Sequence, residues 1–308
     1  MLGRQPIGHI GSPVKLVRFL AGADAELGVF TPDGSQVVPL GRGGGWRFGS
    51  DMSRLIAAWS PELSDQLAEA ARSGAGLDLG GVRLLAPLAP LRRNVFCLGK
   101  NYAEHVAEIE RSGFVSSNQG PPPKPAIFTK ATTAVIGPGD PIPAHADLTG
   151  ALDYEGELAV VIGVGGARIS AQAAMDHVFG YTILNDVTAR DLQRDHQQWF
   201  IGKSLDGFCP MGPAITTSDE VDGSRLDVRC WVNGELRQDS NTSQLITDIP
   251  ALIATISAGI TLLPGDVIAT GTPQGVGAGF DPPRFLGPGD EVAIEIEGLG
   301  RLVNRVAA

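Results

Sequence analysis

Between positions 152 and 162 the chain reads Leu-Asp-Tyr-Glu-Gly-Glu-Leu-Ala-Val-Val-Ile, and Asn185-Asp186 follows on a later segment. On an extended strand alternate side chains share a face, so Asp153, Glu155 and Glu157 point one way and Leu152, Tyr154 and Leu158 the other. Stacked acids repel unless a cation neutralises them. An all-oxygen set of carboxylates suits Mg²⁺ or Mn²⁺, with Ca²⁺ as a third candidate, rather than zinc. The competing reading is a solvated outer face of an edge strand. The uninterrupted apolar run from Leu158 to Val164 opposes it, because it puts the acids at the end of a strand buried on both faces.

Other polar residues could gather around these acids. His105 and Glu108 are three apart in Tyr102-Ala103-Glu104-His105-Val106-Ala107-Glu108. On a helix they share a face, and the carboxylate can orient the imidazole for proton transfer; an exposed surface pair is the alternative. Lys203 stands between Trp199-Phe200-Ile201 and Ser204, either as a buried ammonium beside the acids or as a lysine snorkelling from the core. Pro264 to Pro273 reads as a strand ending in a tight turn that presents Thr272 and backbone N–H groups at its tip, a common way to hold an oxygen. Of only five lysines against nineteen arginines, Lys100, Lys130 and Lys203 lie in the polar segments.

Several chemistries are excluded. Gly202-Lys203-Ser204 lacks the first glycine of a phosphate-binding loop, since position 197 is Gln197. Gly163-Val164-Gly165 and Gly275-Val276-Gly277 have Arg168 and Phe280 where a dinucleotide fingerprint needs its third glycine. There is no GxSxG elbow and no HExxH.

The elements that must position these residues fall into two parts. Strands are expected at Leu16 to Leu20, Leu27 to Phe30 and Gln36 to Leu40, then a Gly-rich turn at Gly41 to Gly45 and a helical stretch from Met52 to Arg72. Further strands are expected at Pro125 to Lys130, Glu157 to Val164, Gly180 to Asp186, Leu226 to Val232, Asp266 to Thr270 and Glu291 to Ile296. Helices are expected near Tyr102 to Arg111, Ala171 to His177 and Ile249 to Ala258. Without regular βαβ alternation this is an α+β fold, mostly β. The polar loop from Gly113 to Pro125, with Pro121-Pro122-Pro123, is long enough to be functional or mobile. The chain has 308 residues, 43% of them hydrophobic, and a net charge of −10 without a basic patch. Nucleic acid is therefore not expected as a partner, nor is a membrane. The N-terminus lacks the apolar stretch of a secretory signal, and Cys97, Cys209 and Cys230 have no paired spacing, so a reduced, cytoplasmic setting is expected.

Taken in order, Gly99-Lys100-Asn101-Tyr102 with His105 and Glu108, Asp153 to Leu158, Asn185 to Asp191, Gly202-Lys203-Ser204 and Gly271-Thr272-Pro273-Gln274-Gly275-Val276-Gly277 resemble the fumarylacetoacetate hydrolase family over Leu91 to Val306. The resemblance implies a mixed β-roll or sandwich catalytic domain at 88–308 behind a small N-terminal α+β domain at 1–87. It makes Glu155, Glu157 and Asp186 the Mg²⁺ or Mn²⁺ ligands, and His105 with Glu108 the catalytic dyad. Lys203 would stabilise oxyanion charge, Gln193, Thr272, Lys130 and Tyr102 would contact substrate, and Arg190 and Asp191 would be structural. The implied reaction is C–C bond hydrolysis in an acylpyruvate-type 1,3-diketo acid through a metal-stabilised enolate. Oxaloacetate decarboxylation, dienoate isomerisation and a non-catalytic keto-acid-binding role are the alternatives. A homodimer is the family expectation, as is a lid over the site from 104–124. Two departures stand out: Lys100 replaces a common arginine, and Gly156 replaces a bulkier residue between the two glutamates.

Overall fold

The computed structural model describes residues 12–41, 48–73, 76–112 and 124–308. Most of the Gly41 to Gly45 turn and of the Gly113 to Pro125 loop lies outside the described residues. The fold is mostly β with peripheral helices, as expected. A 12-stranded sheet forms the body, a 4-stranded sheet packs beside it, and a 2-stranded ladder sits near the site. Among the described residues no helix is long and apolar enough to cross a membrane.

The centre of the large sheet is the antiparallel pair Gly156–Ile162 and Val178–Asn185, both buried along their whole length. Val267–Ala269 continues the sheet beside Gly156–Ile162, and Val95–Gly99 and Ala126–Lys130 follow to the edge. On the other side Cys209–Thr217 pairs with Val178–Asn185, and Lys15–Ala21 pairs in turn with Cys209–Thr217 through Lys15↔Thr216 and Leu16↔Ile215. Strands from both anticipated parts thus share one sheet. The smaller sheet runs Glu235–Asn241, Asp227–Val232, Glu291–Ile296, Gly300–Arg305.

The helical stretch expected from Met52 to Arg72 is two helices, Met52–Ala57 and Pro61–Arg72. Ser60 caps the second, its hydroxyl accepting from Leu63 N–H at 3.2 Å, and Pro61 takes the first helical position, where a missing N–H costs nothing. The expected helix at Ala171 to His177 is a run of 3₁₀ turns. Ala103–Ser112 is helical and buries His105, Val106, Glu108 and Ile109 on one face, so the i, i+3 pair is turned inward and is not a surface pair.

Candidate metal centre

Strand register builds the site. Gly156 pairs with Asn185 across the central ladder, which brings the ends of two strands together. Asn185 Oδ1 accepts from Glu155 N–H at 3.0 Å, and Asp186 N–H donates to the Glu155 carbonyl at 2.9 Å. Carboxylate oxygens of Glu155, Glu157 and Asp186 consequently lie within 4.8 Å of one another, all three residues buried.

Asp153 does not share that face. The chain leaves extended pairing at Tyr154 and Glu155; Asp153 belongs to a separate short ladder opposite Thr188, and the main strand starts only at Gly156. The alternation expected across residues 153–157 therefore breaks. Fully buried Asp153 instead accepts from Tyr154 N–H at 2.9 Å, Gly277 N–H at 2.7 Å, Ala278 N–H at 3.0 Å and Arg190 Nε at 2.8 Å.

Three cations face these acids. Lys203 Nζ donates to Glu155 Oε2 and Asp186 Oδ2, both at 2.8 Å. Lys130 Nζ donates to Asp186 Oδ1 at 2.6 Å, to the Val187 carbonyl at 3.0 Å and to the Lys203 carbonyl. Arg190 lies 2.7 Å from Glu155 Oε1 while holding Asp153. Burial opposes ionisation of Glu155, but Lys203 and Arg190 outweigh it and hold the carboxyl below the ordinary glutamate range. Glu157 is the reverse case: burial, then the Asp186 and Glu155 charges, push it well above that range. Among the described residues Glu157 has no ion pair, and its Oε2 accepts from Gly271 N–H at 2.7 Å. Three convergent buried carboxylates, one of them driven toward its neutral form by burial and by its neighbours, fit a hard divalent cation, and the absence of nitrogen or sulfur donors from the set fits Mg²⁺ or Mn²⁺ better than zinc.

Through Glu155 the triad borders a cavity of about 30 Å³, roughly the room of one or two waters. Glu155, Lys203, Arg190, Gln193, Thr272 and His105 all line it, with Lys100 and Trp199. His105 Nδ1 lies 3.4 Å from Glu108 Oε2, and Glu108 Oε1 accepts from Gly275 N–H at 2.9 Å. Lys100, on the same wall, adopts a left-handed backbone with φ 58°, uncommon for a side chain without a local cap.

Of the residues singled out in the sequence, Glu155, His105, Lys203, Gln193 and Thr272 line one cavity, while Glu157 and Asp186 lie beside Glu155 and Glu108 lies behind His105. Two expected substrate contacts lie elsewhere: Lys130 is fully buried against Asp186, and buried Tyr102 bridges to Leu245, neither lining the cavity. Arg190, expected to be structural, touches Glu155 and lines the cavity, with its Nη1 donating to Gln193 Oε1 at 3.1 Å. Asp191 is structural, accepting from Thr149 Oγ1 at 2.6 Å and Gly150 N–H at 3.0 Å. Sequence reading missed Gln238, which belongs to no motif and reaches the site from the smaller sheet.

The family described as fumarylacetoacetate (FAA) hydrolase C-terminal matches residues 94–307. The oxaloacetate tautomerase YisK of Bacillus subtilis (strain 168) is 48% identical over 255 residues, covering 82% of this chain and 81% of that protein. A fumarylacetoacetate hydrolase structure from psychrophilic Exiguobacterium antarcticum superposes with a TM-score of 0.79 at 43% identity, over 96% of this chain and 99% of that one. The 2-hydroxyhepta-2,4-diene-1,7-dioate isomerase structure from Mycobacterium marinum gives a TM-score of 0.72 at 36% identity, over 96% and 98%.

Proposed function

Because this chain belongs to the fumarylacetoacetate hydrolase family, we propose that it is an enzyme of enol chemistry whose reaction is the keto–enol tautomerisation of oxaloacetate or a similar small 2-oxo dicarboxylic acid. The observation that carries this reading is the convergence of Glu155 from the buried carboxylate triad and His105 from the dyad on one narrow cavity. Similarity to the Bacillus subtilis tautomerase over most of both chains supports the choice of reaction.

A divalent cation held by Glu155, Glu157 and Asp186 would supply Lewis-acid polarisation of the 2-oxo group. The chain's own residues do the rest. Tautomerisation moves one proton from C3 to the C2 oxygen, and a single base that can take and return it suffices. His105, held by Glu108, is that base: its Nδ1 faces the carboxylate, leaving Nε2 for the substrate. Lys203 and Arg190 put positive charge where enolate oxygen charge develops and where substrate carboxylates must sit. Gln193 is tied to Arg190 and adds an amide to the same wall.

The dyad also favours a second reading. A histidine backed by a carboxylate can deprotonate water, and hydroxide delivered to the acyl carbon of an acylpyruvate would cleave the C–C bond, releasing the acyl group as a carboxylic acid and the pyruvate enolate as leaving group. The resemblance to the Exiguobacterium hydrolase structure is in keeping with it.

One assay separates the two. Decay of the enol absorbance of oxaloacetate is followed with Mn²⁺, after EDTA, and with His105→Ala, alongside pyruvate release from acetylpyruvate. Tautomerisation predicts metal-dependent acceleration on oxaloacetate, lost in His105→Ala, without pyruvate from acetylpyruvate. Pyruvate release from acetylpyruvate alone would make hydrolysis the function, and no acceleration of either would overturn both.

A further inference from the structure

Gln238 is fully buried on Glu235–Asn241, yet the partners of its side-chain amide belong to the active-site side of the molecule. Gly156 N–H donates to its Oε1 at 3.0 Å. Its Nε2 donates to Thr272 Oγ1 and to the Pro273 carbonyl, both at 2.8 Å. The orientation of this amide is forced, because Gly156 N–H can only donate and the Pro273 carbonyl can only accept. Oε1 must face Gly156, and the two N–H bonds must go to Pro273 and Thr272.

Thr272 is then fixed in turn. Its Oγ1 accepts from Gln238, and its own proton goes to the Gly156 carbonyl at 3.1 Å, which has no proton to offer. A hydroxyl has one donor and two acceptor positions, so what Thr272 retains for any ligand in the cavity it lines is a lone pair. The glycine between the two glutamates belongs to this arrangement: a Cβ at Gly156 would lie 3.2 Å from Gln238 Oε1 and 3.2 Å from Ile294. Gly275, beside the same turn, would place a Cβ 1.9 Å from the Arg237 carbonyl, so the strand bearing Gln238 presses directly on the Gly271 to Gly275 backbone.

We propose that Gln238 is a positioning residue that locks Thr272 as a hydrogen-bond acceptor, so that the site selects ligands carrying a hydroxyl donor at that place over ligands carrying only carboxylate or carbonyl oxygens. This inference rests on the proposed enol chemistry and deepens it: of the two tautomers of a 2-oxo acid, only the enol has the O–H that Thr272 can accept.

The test compares two small chelating acids on the Mn²⁺-loaded protein by calorimetry: glycolate, whose 2-hydroxyl donates, and oxalate, which at neutral pH has no donor. Thr272→Val should weaken glycolate about fivefold or more and leave oxalate within about twofold, the scale of one net hydrogen bond, while Thr272→Ser keeps both affinities. Gln238→Met removes the N–H that Thr272 must accept, so the hydroxyl is no longer locked and can exchange its bond to the Gly156 carbonyl for donation into the cavity, and the glycolate-to-oxalate preference should shift toward oxalate by a similar factor. Should Gln238→Met fail to fold, the Thr272→Val and Thr272→Ser pair still decides. Equal changes for both acids, or none, would overturn the inference while leaving the proposed function standing. Failure of the native protein to bind either acid would overturn both.

Discussion

Lys130 and Lys203 hold the two oxygens of Asp186, and their surroundings predict opposite phenotypes. Lys203 lines the cavity; Lys130 is sealed in with two backbone carbonyls that have it as a donor. Removing Lys130 leaves Asp186 paired through Lys203 alone and strips the donor from Asp186 Oδ1 and from two buried carbonyls, a cost on the order of 1–3 kcal/mol for a buried acceptor left unsatisfied. Lys130→Met should therefore lower unfolding stability by that order in a denaturant titration, with KM of the folded enzyme close to native. A large rise in KM at native stability would restore Lys130 as a substrate contact. Glu157 makes a pH prediction. Its folded-state value is raised, by burial and then by Asp186 and Glu155. The stability it contributes is thus fully present below the ordinary glutamate value and is lost as pH rises through the raised one. Metal-free protein in EDTA should melt at progressively lower temperature over that rise. Glu157→Gln should flatten this dependence and abolish Mn²⁺ binding; an unchanged pH profile in the variant would show that Glu157 is ionised in the metal-free fold.

The turn Gly277–Gly279 positions the dyad, since a Cβ on Gly279 would fall 2.1 Å from the Glu108 carboxyl, with Gly275 N–H donating to that same carboxyl. Gly279→Ala should push Glu108 away from His105 and reduce kcat at least tenfold, with a shifted pH profile of kcat and unchanged Mn²⁺ affinity; native kcat would mean that Glu108 is not needed where it stands. Much of this was legible in the sequence. Helical spacing put His105 and Glu108 on one face, and the apolar run after Glu157 marked the strand that carries Glu157, with Glu155 just before its start. The misses have physical causes. Asp153 looked like a fourth acid because alternation was extended through a break in the strand that only the Asp153–Thr188 pairing reveals. The Cys209–Thr217 strand was not among those expected, and its Pro210, Gly212 and Pro213 are residues that weaken a strand pattern. The ladder accommodates them with a register shift: Ile183 faces Gly212 and Tyr181 already faces Thr216, so Pro213 falls where pairing is interrupted and its missing N–H is tolerated. Gln238 could not be found, since its partners are more than thirty positions away and carry no spacing signal.

On the scale of the whole molecule, that unread strand is the junction between the two anticipated parts. Lys15–Ala21 covers one edge of Cys209–Thr217, Val14 N–H donates to Thr217 Oγ1 at 3.1 Å, and Thr217 N–H returns a bond to the Val14 carbonyl. Trp59, from the N-terminal part, stacks edge-on against Phe179 of the central pair at 4.7 Å between ring centroids. Leu16, Val17 and Phe19 are fully buried. A chain starting at residue 88 would bare a long apolar strand edge, a template for unwanted pairing, and would lose the apolar cover of the strand next to the one that ends at Asn185. We therefore propose that 1–87 and 88–308 fold as one cooperative unit. Expressed alone, 88–308 should aggregate or lose its sharp calorimetric transition, and with it Mn²⁺ binding, because the Gly156↔Asn185 register that gathers the carboxylates depends on the Val178–Asn185 strand being held on both sides. A soluble 88–308 fragment that melts cooperatively and binds Mn²⁺ as the full chain does would instead make the N-terminal part a separable domain.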